Sequence, residues 1–154
     1  MGRSIVQYGG LVTVLSTDKD FYYPGEQVYL FLEAVNVSFL PISLTFSTTQ
    51  RYEFIVAGLF GEVWRWSAGN FFAQGDYQVP QFMPRVVESI TLGPGENLFC
   101  GEVWNQEGTG GLPVPQGTYQ MSGWNTFNEF EYLPKPNVYI DIGIPAILSF
   151  RMLC

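Results

Sequence analysis

The apolar residues of this chain recur with a period of two and nowhere hold the i, i+3, i+4, i+7 spacing of an amphipathic helix, which restricts the fold to an all-β one. β-Branched and aromatic residues gather in short runs, such as Val28-Tyr29-Leu30-Phe31-Leu32, and turn residues separate the runs. The pattern predicts strands near Ile5–Ser16, Glu26–Val37, Ile42–Phe46, Arg51–Ala57, Glu62–Ser67, Arg85–Leu92, Asn97–Trp104, Thr118–Asn125 and Val138–Arg151. Proline cannot donate to a ladder, so the last of these is expected to break at Pro145. Tyr23-Pro24-Gly25-Glu26 and Gly93-Pro94-Gly95-Glu96 repeat one turn chemistry. Pro presets φ at the first central position, and Gly accepts the positive φ that a type II turn needs at the second. Short strands, turn signals at roughly 8–12-residue spacing and no helices between them are the syntax of a sandwich. The expectation is an immunoglobulin-like antiparallel β-sandwich of about eight or nine strands, forming one domain over residues 1–154.

Hydrophobic residues make up 47% of the 154 and aromatics 17%, enough to fill a core without disulfide staples. No apolar run is long enough to span a bilayer. Met1-Gly2-Arg3-Ser4 leads into alternating residues rather than an apolar signal block, so a soluble, cytoplasmic chain is expected. Seven basic residues stand against fourteen acidic ones, for a net charge of −7. The basic residues are scattered, which excludes nucleic acid as a partner and disfavours an anionic membrane. The two cysteines, Cys100 and Cys154, are expected to be free thiols in a reducing compartment.

One hairpin can be read at residue level. If Arg51–Ala57 returns through Gly58-Leu59-Phe60, pairing Val56 with Glu62 sets Phe54 opposite Trp64 and Tyr52 opposite Trp66 on one face. Glu53 then faces Arg65 on the other. A slip of one residue would set the aromatic face against the charged one.

The residue inventory excludes most catalytic chemistry. There is no histidine, which removes Ser-His-Asp and Cys-His catalysis and zinc sites with imidazole ligands. No phosphate-binding glycine loop is present. Glu88, Glu96, Glu102 and Glu107 read as structural carboxylates rather than a glycosidase pair, and Asp18 and Asp20 as a solvated turn rather than a calcium loop. No catalytic residue, metal ligand or cofactor is expected. Trp64, Trp66 and Trp104 are expected in the core, with Trp124 divided between core and surface. Asn36-Val37-Ser38 matches a glycosylation pattern but falls at a strand end.

Two long connections remain. Ala68–Pro84 carries Phe71, Phe72, Tyr77, Phe82 and Met83, and Asn105–Gln116 is rich in glycine and read as mobile. Connections this long often carry function, the alternative being an ordinary cover for the end of a sandwich.

Several stretches resemble the intracellular proteinase inhibitor family of the BsuPI type. They are Leu44-Thr45-Phe46-Ser47, Gln50-Arg51-Tyr52-Glu53-Phe54, Glu62-Val63-Trp64-Arg65-Trp66-Ser67, Phe72-Ala73-Gln74, Leu92-Gly93-Pro94-Gly95-Glu96, Trp104 and Pro115-Gln116-Gly117-Thr118-Tyr119. The resemblance covers Asn36–Asn125; Phe127–Cys154 extends beyond it, and Glu53 stands where the family tends to have Asp. It implies an immunoglobulin-like sandwich that binds an intracellular serine proteinase, subtilisin-like in class, and Gly117-Thr118-Tyr119 resembles a tyrosine corner. With such a partner, Ala68–Pro84 is expected to make the contact through Phe71, Phe72, Gln74 and Tyr77, with Asn105–Gln116 as the second candidate. Two other readings remain open. One is an adhesion or assembly module that uses the sandwich edge or the Val138–Arg151 segment to add a strand to a partner, including a homodimer through an edge strand. The other is carbohydrate binding through Trp124.

Overall fold

Both Pro-Gly turns close as their residues demand. Gly25 and Gly95 take φ of 87° and 79°, and the Glu26 and Glu96 amides donate to the carbonyls of Tyr23 and Gly93 at 3.1 and 3.0 Å. Each glutamate also turns back on its own turn: Glu26 Oε1 accepts the Tyr23 amide at 2.7 Å, and Glu96 Oε1 accepts the Gly93 amide. The repeated glutamate therefore locks the turn.

The computed structural model describes residues 2–70 and 85–144. Through them run β1 (Arg3–Tyr8), β2 (Leu11–Thr17), β3 (Phe21–Tyr22), β4 (Val28–Asn36), β5 (Ile42–Thr48), β6 (Tyr52–Gly58), β7 (Gly61–Arg65), a short helix α1 (Trp66–Asn70), β8 (Arg85–Leu92), β9 (Asn97–Trp104), β10 (Gly117–Asn125) and β11 (Asn137–Ile142). One sheet has the order β1-β2-β4-β9, the facing sheet β3-β11-β10-β6-β7, and β5 pairs with β8 in a separate ribbon. This is an immunoglobulin-like β-sandwich, antiparallel except where the two residues of β3 run parallel to β11.

The strand count differs from the reading at two places. Ile5–Ser16 is two strands, because Gly9-Gly10 reverses the chain with Gly9 at φ 57° and pairs Tyr8 with Leu11. β3 is the other addition, too short to show periodicity. The expected break at Pro145 and the end of Val138–Arg151 lie outside the described residues, as does Cys154.

Between the sheets, Leu15, Leu30, Leu32, Phe54, Val56, Trp104, Met121 and Ile140 form the main core. A second cluster, with Leu11, Ala34, Leu44, Phe46, Leu92 and Phe127, seats the β5–β8 ribbon. Burying each of these larger side chains contributes about 1.5–3 kcal/mol, so the alternation read in the sequence is what joins the layers.

Asn36 marks where the chain leaves the first sheet for the ribbon. Its side chain is fully buried, donates to the carbonyls of Leu40 and Leu92 at 2.8 Å each, and accepts the Ser38 amide and hydroxyl. That occupied amide explains why the Asn36-Val37-Ser38 pattern is structural.

Candidate functional site: the β7 edge and the exit toward residues 71–84

Phe71, Phe72, Gln74 and Tyr77 lie outside the described residues, but the exit that launches their segment is described. The β6–β7 hairpin feeds it, in a register different from the one expected. Val56 pairs with Trp64, Ile55 with Arg65, Ala57 with Glu62 and Gly58 with Gly61. The loop is thus two residues, Leu59-Phe60, which slips the tip by one position. The shift of register between Val56 and Ala57 leaves Val63 as an extra residue and restores the side on which Trp64 and Arg65 lie. Glu53 consequently meets Arg65 on a diagonal, at 3.6 Å, rather than directly.

Glu53 is the centre of this exit. It is 3% exposed, although it lies on the outer side of β6. Its Oε1 accepts the amides of Phe54 and Ser67, both at 3.1 Å, and its Oε2 accepts Gln50 Nε2 at 3.1 Å. The Ser67 amide is one of the free donors of the first turn of α1, so the carboxylate stops the strand and starts the helix. Arg65 spans from Glu53 to Glu62, to which it donates at 2.9 and 3.1 Å. Tyr52 packs at a tilt against Trp66 with ring centres 4.7 Å apart and donates its hydroxyl to Glu102 at 2.9 Å. Burial, then Glu102, pushes the Tyr52 phenol well above its usual value. The motif residues at 50–54 and 62–67 thus build one clamp around the chain as it leaves β7.

The second connection, residues 105–116, is strapped down rather than mobile. Gln106, at φ 61° and 2% exposed, donates Nε2 to the Tyr23 carbonyl at 2.9 Å and accepts the Gly25 amide at 3.1 Å. Trp104 Nε1 donates to the Glu107 carbonyl at 2.8 Å. The Thr109 amide donates to the Val63 carbonyl at 2.8 Å, tying the connection to the edge of β7. The same end of the sandwich holds a groove of about 660 Å³ between the β6–β7 hairpin and residues 115–120.

The other expectations divide. Trp104 is core at 1% exposed, while Trp64 and Trp66 are partly buried against the core's rim. Trp124 is half-buried with the Lys135 ammonium 5.8 Å from its ring centre. That ammonium donates to the carbonyls of Phe130, Glu131 and Leu133. Glu88 pairs with Arg51 at 2.8 Å, and Asp18 accepts the Tyr22 hydroxyl and the Tyr29 amide. Tyr119 donates its hydroxyl to the Pro115 carbonyl at 2.5 Å, the tyrosine-corner closure expected of Gly117-Thr118-Tyr119. Among the described residues no cluster of three or more Cys, Asp or Glu is arranged to hold a metal, and no helix is long and apolar enough to cross a membrane.

The model of the intracellular proteinase inhibitor family, BsuPI, matches residues 15–130. The chain belongs to this family, and the match reaches further toward both ends than the motif resemblance did. No curated protein matches it. Among solved structures it is similar to a Paenibacillus cycloisomaltooligosaccharide glucanotransferase complexed with cycloisomaltoheptaose, at TM-score 0.47 and 15% identity over 85% of this chain. The chain spans only 14% of that enzyme's length. It is also similar to the CARDB domain of a Pyrococcus furiosus protein in complex with di-metal ions, at TM-score 0.45 and 9% identity over 85% of this chain and 90% of that one. A β-glucosidase from Erythrobacter marinus follows at TM-score 0.46 and 9% identity, with 83% of this chain covering 14% of the enzyme.

Proposed function

We propose that this protein is a non-covalent, non-catalytic inhibitor of a serine proteinase of the subtilisin-like class, acting in the cytoplasm. Membership of the intracellular proteinase inhibitor family carries the reading. The clamp at Glu53 supports it, because an inhibitory segment gains affinity when its point of departure is rigid. Phe71, Phe72 and Tyr77 are the proposed apolar anchors, and Gln74 a polar contact between them. Titrating a subtilisin-like proteinase with the protein tests the function. Stoichiometric loss of activity with the inhibitor chain left intact is expected; no inhibition, or digestion of the chain as substrate, overturns it. Replacing Phe71, Phe72 and Tyr77 with alanine should weaken inhibition with the melting temperature nearly unchanged.

A second reading, assembly through a sheet edge, is favoured by β9. Among the described residues β9 pairs with β4 alone, and Phe99 and Val103 beside that edge are 59% and 39% exposed. A homodimer formed this way would show concentration-dependent sedimentation abolished by Phe99→Lys. Carbohydrate binding through Trp124 has less support, since Lys135 stands over the indole.

A further inference from the structure

The tip of the β6–β7 hairpin carries two large apolar side chains that neither the turn nor the core uses. Leu59 is 89% exposed and Phe60 99%. Both take negative φ, and the positive φ of the reversal, 113°, falls on Gly61. A two-residue turn of this kind accepts most residues and favours Asp, Asn or Ser, so its backbone makes no demand for Leu or Phe. Buried in a partner, either side chain is worth roughly 10- to 100-fold in affinity.

The tip is also held in place. A Cβ on Gly58 would stand 3.0 Å from the Tyr119 ring, so the hairpin lies directly on that side chain, itself tied to Pro115. On the other side, the Thr109 amide bonds the Val63 carbonyl two residues beyond Gly61. An exposed apolar tip on a braced backbone can enter a cleft, and its backbone loses little freedom in doing so. The charge of −7 opposes an anionic bilayer as the occupant. The span from Phe60 to Ser67 is roughly 25 Å at strand rise, within the width of a standard interface of about 800 Å² per partner. Tip and clamp therefore fit under one partner.

We infer that Leu59 and Phe60 enter the substrate cleft of the target proteinase and select an enzyme whose specificity pocket takes a large apolar side chain. This rests on the inhibitor reading. It adds a second contact at the far end of β7 from the segment that begins at residue 71.

The test is titration of a subtilisin-like proteinase with the wild type, with the double variant Leu59→Ser/Phe60→Asn, and with the Phe71, Phe72 and Tyr77 alanine variant. The double variant is expected to raise Ki at least about 30-fold, the effect of losing one hot-spot anchor, with an unchanged melting temperature. Potent inhibition by the wild type with equal inhibition by the double variant overturns the tip assignment and leaves the inhibitor reading standing. No inhibition by the wild type overturns both. Hydrogen exchange on the wild-type complex reads the same surface without mutation: amides 59–62 should gain protection, and unchanged exchange there overturns the tip assignment even if the double variant fails to fold.

Discussion

The Glu53 carboxylate accepts the backbone amide of Ser67 at 3.1 Å, joining the middle of β6 to the first turn of α1 across 14 residues of sequence. The same carboxylate takes an amide hydrogen from Gln50 and faces Arg65. Removing it takes the acceptor from the Ser67 amide and one partner each from Gln50 and Arg65 at a nearly closed site. Glu53→Ala is therefore expected to cost about 3 kcal/mol in urea unfolding, whereas Glu53→Gln, which keeps an oxygen for Ser67, should cost about 1 kcal/mol. Equal losses would mean that burial of the chain, and not the hydrogen bonds, holds the exit.

Tyr119 is 4% exposed, so its ring packs whether or not it carries a hydroxyl. Tyr119→Phe removes only the bond to the Pro115 carbonyl. The expected loss is about 1 kcal/mol with the denaturant slope unchanged.

Cys100 lies on the core side of β9 opposite Leu32 and is a free thiol. Burial first, and Glu102 second, push its pKa up to about 12. Thiolate is the reactive form, so in a Cys154→Ser background the folded protein should resist maleimide at pH 8 and react promptly once unfolded in urea.

Acid should loosen the link between β5 and the short turn of helix at Asn128–Phe130. Burial tends to raise the Glu129 carboxyl, but the bonds it accepts from the Thr45 amide, its own amide and the Thr45 hydroxyl outweigh that and hold it below its ordinary value of 4.5. Its contribution is then full above that value and fades as pH falls through the lower folded value. Because the group is mostly exposed, the effect is expected within about 1 kcal/mol. Glu129→Gln should make the urea midpoint fall less on acidification from pH 6 to pH 3.

The elements legible in the sequence were those whose pattern is local. β8 and β9 run over the residues that alternation predicts, and Pro24-Gly25 and Pro94-Gly95 turn as their chemistry requires. Gly9-Gly10 is hidden because the period of Val6 and Tyr8 runs on through Gly10 into Val12 and Val14. Trp66 has every propensity of a strand residue, yet it opens α1, where the carboxylate of Glu53, from another strand, takes the Ser67 amide. The hairpin register escaped because a bulge at Val63 restores the sidedness that alternation reports while shifting the partners. At the site, the clamp residues were visible as motifs, but which of them touch needed the fold. Leu59-Phe60 was read only as a loop, though bulky apolar residues between Gly58 and Gly61 were themselves a signal.

The turn of the chain at Asn36 also determines how the molecule bears load. α1 precedes residues 71–84 and β8 follows them directly, so a partner tugging on that segment loads the Glu53 clamp at one end and the β5–β8 ribbon at the other. From there the pull passes through Asn36 and the Pro94-Gly95 reversal into β4 and β9. β4 is flanked on both sides by paired strands, so a pull along it would load two ladders in shear. Many hydrogen bonds then share the force at once, instead of opening one after another as at a peeled edge.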